Sequence, residues 1–94
     1  MNKLFLVRVE LHNAIERDYQ VLHTAMAKLG FNRYLVSSSG TKYELPTAEY
    51  ISWSNSNVTA IKALVRTAAN STGKTSWLLV AETAQLDWDL RIIQ

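Results

Sequence analysis

Residues 3–16 read KLFLVRVELHNAIE, and this stretch decides the fold because it holds a strand pattern followed at once by the start of a helix. Over residues 3–12 the side chains alternate with a period of two, which predicts a β-strand with one buried face. Asn13 then offers a helix N-cap, and Glu16 follows at the spacing of a capping box. The sequence therefore predicts a first strand over 3–12 and a first helix from about Ala14.

The rest of the chain shows the same two periodicities in turn. Gly30 ends the first helix, because the apolar residues at three- and four-residue spacing stop there. Pro46 lacks an amide proton and so predicts a bend within the third strand. Further strands are predicted over residues 31–37, 41–53 and 77–81, a second helix over 57–71, and a tail strand over about 86–93. The run at 77–81 is continuously apolar, which is typical of a strand covered on both faces.

This order, β-α-β-β-α-β with a tail strand, predicts an α+β fold of the ferredoxin-like kind. Two right-handed crossovers place both helices on one face of an antiparallel four-stranded sheet and leave the other face open. The length of 94 residues suits a single domain over 1–94. If the first and third strands form a central parallel pair, then His12, Trp53 and Arg33 are neighbours at one edge of the sheet, with Glu10 one pleat inward.

The composition excludes several classes of protein. The chain has no cysteine, so a disulfide framework and a cysteine-ligated metal site are excluded. Its apolar runs are far shorter than the roughly 18 residues of a membrane span. Arg8 and Glu10 interrupt the first run before it could act as a signal peptide, so we expect a cytoplasmic protein. The formal charge of +2 is spread along the chain, which permits nucleic-acid binding without indicating it.

Four segments carry a resemblance to a known family. They are RVELH at 8–12, DY at 18–19 with LHTAM at 22–26, GFNR at 30–33, and YELPTAEY at 43–50. Together they resemble the GhoS-like family, which includes the endoribonuclease antitoxin of a type V toxin–antitoxin system and has a ferredoxin-like fold. The resemblance implies cleavage of a toxin transcript, although it supplies no catalytic motif that maps residue by residue. The chain looks different from the antitoxin at residues 45–46 and in the tail from residue 83.

One face of the first predicted strand carries side chains suited to metal-free RNA cleavage. That reaction needs a base for the 2′-hydroxyl, an acid for the leaving oxygen and a cation for the charged phosphorane. We expect His12 to act as base or acid, Glu10 to orient it, and Arg8 and Arg33 to hold the phosphate. The alternative is a solvated sheet face with ordinary cross-strand charge pairs. His23 is predicted to be a surface histidine.

No cofactor or metal is expected. A magnesium nuclease needs paired carboxylates at a strand end, and the predicted strand ends carry no such pair. The two serine- and threonine-rich segments at 37–42 and 71–75 lack the spacing of a phosphate-binding loop.

Aromatic and apolar side chains supply candidate binding surfaces, because exposed rings on a sheet face can stack bases. The candidates for RNA binding are Arg33, Tyr34, Tyr50 and Trp53. Trp77 and Phe5 are assigned to the core instead. The alternation in the tail predicts a homodimer interface made of Leu86, Trp88, Leu90 and Ile92.

Two functions from different classes remain open. The first is a small RNA-directed protein, a metal-independent endoribonuclease that acts as an antitoxin. The second is a non-catalytic protein-interaction module, such as a phage- or plasmid-encoded inhibitor or a structural dimer. Incubation with single-stranded RNA in EDTA distinguishes the two.

Overall fold

The alternating stretch at the start of the chain forms the central strand, β1 (Lys3–Leu11), in the computed structural model, which describes residues 2–93. The elements that follow are α1 (Glu16–Lys28), β2 (Tyr34–Val36), β3 (Lys42–Glu44), β4 (Glu49–Ser54), α2 (Val58–Asn70) and β5 (Ser76–Thr83). The strand β1 lies between β4 and β5 and is antiparallel to both, while β2 and β3 form a separate hairpin. The fold is therefore α+β with antiparallel sheets, as predicted.

The predicted strand count and order are wrong in detail. The third predicted strand is divided near Pro46 into β3 and β4, because the backbone turns there: the amide of Glu49 donates to the carbonyl of Pro46 at 3.1 Å, and Ala48 has a φ of 66°. A sheet of three strands and a hairpin of two result, joined by one bridge between Asn32 and Ile51. The expected parallel pairing of the first and third strands is also wrong, since β1 and β4 are antiparallel.

Both helices pack on one face of the three-stranded sheet, where the odd-numbered residues of β1 are buried. The core on this face contains Phe5, Val7, Val9, Leu22, Met26, Tyr50, Ile61, Val65 and Ala69. The helix α2 begins as its sequence predicts, because the Asn57 side chain accepts a hydrogen bond from the Ala60 amide at 2.9 Å. In contrast, α1 begins later than predicted. Asn13 adopts a φ of 53° in the preceding turn, and Asp18 instead accepts from the Ile15 amide at 3.0 Å.

The tail packs against its own chain on the opposite face of the molecule. Leu86, Trp88 and Leu90 are half-buried against a second apolar cluster made of Leu35, Leu45 and Ile51. The predicted tail strand is reduced to one bridge, between Tyr43 and Ile92, with Arg91 bound to Glu44 at 2.6 Å beside it. Three of the four side chains assigned to a dimer interface are thus held within the chain.

The rest of that face is open. Trp77 and Leu79 of β5 are 69% and 65% exposed, whereas Leu78 and Val80, which alternate with them, pack against the core. The prediction that residues 77–81 are covered on both faces is therefore wrong, and so is the assignment of Trp77 to the core. Phe5 is fully buried, as predicted. Among residues 2–93, the helices are too short and too polar to cross a membrane.

Candidate active site

The cleft on β1 is the predicted cleavage site on the strand face that carries Arg8, Glu10 and His12. The side chains of these residues contact neighbouring residues of the chain. Arg8 pairs with Glu49 at 3.7 Å across the strands, and the Nε2 atom of His12 lies 3.6 Å from a Glu10 oxygen. The other ring nitrogen of His12 lies 3.2 Å from the hydroxyl of Thr75. Within the described chain, Nε2 is buried and has no hydrogen-bond partner. The His12 ring must therefore turn before Nε2 can exchange a proton with a substrate.

The expected neighbourhood of His12, Trp53 and Arg33 is not formed. Trp53 lies opposite Leu4, seven residues along β1 from Leu11, which corresponds to about 24 Å. His12 contacts residues at the start of β5, including Trp77, whose ring centroid is 4.7 Å away. Arg33 follows Asn32, which bridges to β4 on the other side of β1. Arg33 lines a pocket whose lining does not include His12.

Arg33 instead lies beside a second histidine, on the helix-bearing side of the sheet. Here a polar pocket of about 330 Å³ opens between the first half of α1 and the loops around residues 33 and 47. Its lining consists of Glu16, Tyr19, Gln20, His23, Arg33 and Thr47. Glu16, Gln20 and His23 share one face of α1, since they are four and three residues apart. The pocket thus combines an imidazole, a guanidinium and a carboxylate, which can serve as the acid, the cation and the base of metal-free RNA cleavage.

His23 is fixed in this pocket by a tyrosine from β4. The Tyr50 hydroxyl lies 2.5 Å from the Nδ1 atom of His23, and Tyr50 itself is fully buried. Burial raises the pKa of the Tyr50 phenol, so the phenol stays protonated and can donate to the neutral Nδ1 or accept from the Nδ1–H of the imidazolium. The Nε2 atom of His23 is then directed away from Tyr50. The prediction that His23 is a surface histidine is wrong, because its ring is half-buried.

Burial and the charge of Arg33 both disfavour the imidazolium form of His23. Desolvation lowers the pKa of His23, and the Arg33 guanidinium lowers it further. The remaining titratable groups around the ring are Glu16 and Tyr19 on α1 and Tyr50 on β4. At neutral pH, His23 is therefore mainly uncharged, and it becomes protonated at a lower pH than an unperturbed histidine.

This shift predicts a pH dependence of stability. Because the pKa of His23 is lower in the folded state, the unfolded state binds more protons below about pH 6.5. The free energy of unfolding is expected to decline as the pH falls from about 6.5, and this decline ends once the pH is below the folded pKa. Urea denaturation between pH 7.5 and 5.5, with His23→Gln as the control that lacks the titrating ring, measures this contribution. A pKa of His23 at or above its ordinary value, measured by NMR from the chemical shift of the Cε1 proton, would contradict this prediction.

The residues predicted to bind RNA are divided among three places. Tyr50 lies in the core and cannot stack a base. Tyr34 and Trp53 do come together, in a pocket of about 200 Å³ on the open side that also contains Asn32 and Trp88. Arg33 lies in the polar pocket on the helix side. The four residues therefore do not form one continuous surface.

Other cavities lack the chemistry of the polar pocket. The groove between α1 and α2 is larger, about 660 Å³, but its lining has neither an imidazole nor a carboxylate. Arg17 and Lys28 are its charged side chains. Within residues 2–93 there is no group of three metal-ligating side chains. General acid–base chemistry is therefore best supported at His23.

Sequence reasoning missed this pocket for an identifiable reason. Glu16 and His23 are seven residues apart, two turns along one helix face, and that spacing was a visible signal. The decisive contact joins His23 to Tyr50, 27 residues further along the chain. Only the packing of α1 on β4 shows that this histidine is half-buried beside a guanidinium.

No protein family matches the chain, and no curated protein is significantly similar to its sequence. The resemblance to the GhoS-like family therefore rests on the four segments quoted above.

Proposed function

We propose that this protein is an RNA-directed, metal-independent endoribonuclease whose catalytic pocket contains His23, Arg33 and Glu16. One observation carries the proposal: His23 is held by Tyr50 in a pocket that also contains a guanidinium and a carboxylate. The cleft on β1 supports it less well, because Arg33 is absent from that cleft and both nitrogens of His12 face neighbouring side chains.

The pocket has room for a phosphodiester between two proton-transferring groups. The Cα atoms of Glu16 and His23 are separated by about 10.5 Å along the helix, a span that fits a phosphate with both its ester oxygens. The Arg33 guanidinium offers paired donors to the non-bridging oxygens. Gln20 and Thr47 supply further donors at the wall of the pocket.

In the proposed reaction the Glu16 carboxylate accepts the proton of the 2′-hydroxyl, and the 2′-oxygen forms a bond to phosphorus. The bond from phosphorus to the 5′-oxygen breaks, and the 5′-oxygen takes a proton from the His23 imidazolium. Arg33 stabilises the charge that develops on the phosphorane. The products are a 2′,3′-cyclic phosphate and a 5′-hydroxyl, and Tyr50 keeps the imidazole in position throughout.

The lowered pKa of His23 sets the pH dependence of this mechanism. The acid must be protonated, so cleavage is expected to slow as the pH rises through that lowered pKa, whereas an unperturbed histidine would lose activity only at higher pH. An optimum below about pH 6.5 supports His23 as the acid.

The biological part of the proposal follows from the GhoS-like resemblance. It assigns the protein to the ferredoxin-like fold, with a toxin transcript as the substrate and an antitoxin as the role. The arrangement of two helices on one face of an antiparallel sheet is compatible with that fold, although the sheet is divided differently.

The test is incubation of the purified protein with single-stranded RNA in EDTA at pH 5.5–7.5. We expect cleavage fragments that end in 2′,3′-cyclic phosphates, identified by mass spectrometry, and far fewer of them with His23→Ala. Absence of cleavage by the wild-type protein across this pH range would contradict the proposal and favour the non-catalytic interaction module. Equal cleavage by wild type and His23→Ala would mean that a contaminating nuclease or another site is responsible.

A further inference from the structure

The outer edge of β5 has the features of a pairing surface. In the described chain, β5 pairs with β1 on one side and with no strand on the other. Natural edge strands are usually protected by proline, bulges or several charges. The eight residues of β5, Ser76–Thr83, contain no proline or glycine and a single charged residue, Glu82. This edge is therefore open to another strand.

The backbone groups available at this edge follow from the register. The amide of His12 donates to the carbonyl of Thr75 at 2.9 Å, so the odd-numbered residues of β5 direct their backbone groups towards β1. Backbone groups alternate in direction along an antiparallel strand. The even-numbered residues therefore direct their N–H and C=O groups outward, and these are Ser76, Leu78, Val80 and Glu82.

We propose that this edge pairs with the same edge of a second copy, forming an antiparallel, two-fold symmetric dimer with a continuous six-stranded sheet. Residues that face each other across antiparallel strands lie on the same face of the sheet. In the register with Leu79 opposite its own copy, Ser76 faces Glu82, and Leu78 faces Val80. The outward backbone groups of these four residues then pair with one another, giving about eight main-chain hydrogen bonds.

Charge complementarity favours this register. It also favours a second copy of the chain as the partner that pairs with the edge of β5. Arg66 of α2 donates to the Ser76 hydroxyl at 2.7 Å and lies 3.5 Å from the Ser76 carbonyl oxygen, so its guanidinium lies at the outer edge beside Ser76. In the proposed dimer, Glu82 of the second copy reaches this guanidinium and gives up its exposed ion pair with Lys3 at 3.7 Å. Two-fold symmetry repeats the pair at the other end. With Val80 on the axis, Glu82 would instead face the apolar Leu78, and with Leu78 on the axis it would face Lys74, whose charge already pairs with Asp18 at 3.8 Å.

The open face of the sheet supports the same partner. Trp77 would lie beside the small Ala81 of the second copy, and the two Leu79 side chains would meet on the axis, so the exposed apolar residues join into one stripe. The charges beside this stripe are Arg8, Glu10 and Glu49, whose formal sum is negative. That sum does not attract a polyanion such as RNA, which favours a protein partner on this face.

Sedimentation velocity of the full chain between 1 and 200 µM tests the proposal. We expect a reversible dimer with a dissociation constant of about 10 µM, because edge pairing buries an area at the low end for specific interfaces. Leu79→Arg is expected to remain folded, since Leu79 is 65% exposed, and to be monomeric, since it places two like charges on the axis. A wild-type monomer at 200 µM, or a dimer that persists in folded Leu79→Arg, would overturn the proposal.

The charge pair provides a second, independent measurement. Glu82→Arg and Arg66→Glu are each expected to weaken dimerisation about tenfold or more, and the double variant is expected to restore it. Arg17→Glu on α1 makes a matched charge change away from the edge and is expected to leave dimerisation unchanged. Single variants that dimerise like the wild type, or a double variant no better than either single one, would contradict the assigned register.

Discussion

His23→Ala is expected to lower the rate of RNA cleavage by about 10²–10⁴-fold, the usual contribution of one general acid or base. His23 supplies the only imidazole among the residues that line the pocket, so no neighbour offers the same acid. The protein should still fold, although loss of the hydrogen bond between His23 and Tyr50 is expected to lower the free energy of unfolding by about 1–3 kcal/mol. Single-turnover cleavage of a labelled oligonucleotide, with circular dichroism to verify folding, measures both effects.

His12→Ala is the matched comparison, because it removes the same chemical group from the cleft on β1. If the reaction takes place at His23, this variant keeps nearly the wild-type rate. A loss of about 10²–10⁴-fold in His12→Ala with an active His23→Ala would return the site to Arg8, Glu10 and His12.

Arg33→Ala separates binding from proton transfer in the same pocket. Loss of one phosphate contact should reduce the slope of log affinity against log salt by about 0.7 for single-stranded RNA. It should also raise the pKa of His23 towards its ordinary value, because the Arg33 charge is one of the two causes of the downward shift. An unchanged His23 titration in this variant would place Arg33 outside the site.

Local periodicity was sufficient to predict the elements but not their neighbours. The alternation over residues 3–12 correctly predicts β1 because it records which face of one strand is buried. The apolar run at 77–81 does not distinguish the two faces of the strand, since Trp77 and Leu79 are as apolar as Leu78 and Val80. Exposure of that face depends on where the tail crosses the sheet, which is a long-range property. For this reason the sequence pattern correctly predicted a strand here but not which of its faces is exposed.

The candidate site shows the same limit. The need for a base, an acid and a cation is a chemical requirement, and the sequence suggested Arg33 as one source of the cation. Which histidine lies beside Arg33 depends on strand direction, because antiparallel pairing of β1 with β4 sends Trp53 and His12 to opposite ends of the sheet. A parallel pair would have brought them together. Strand order and direction, rather than residue types, therefore decided the site.

Simultaneous replacement of Leu86, Trp88 and Leu90 by alanine is expected to lower the free energy of unfolding by about 3 kcal/mol. Each side chain is half-buried against the cluster of Leu35, Leu45 and Ile51, and half-burial of a large apolar side chain contributes about 1 kcal/mol. Urea denaturation followed by circular dichroism measures the loss.

Ile92→Ala provides the control for the tail, because Ile92 is 51% exposed and joins the hairpin through its backbone bridge with Tyr43. Its effect is expected to stay within about 0.5 kcal/mol. If the tail formed a homodimer interface, as its alternation predicts, the midpoint of Leu79→Arg, which lacks pairing through β5, would still rise with protein concentration, whereas that of Leu79→Arg combined with the triple variant would not. A concentration-independent midpoint in Leu79→Arg, with the full loss in the triple variant, would instead mean that the tail stabilises its own chain, which leaves the edge of β5 as the surface proposed for pairing.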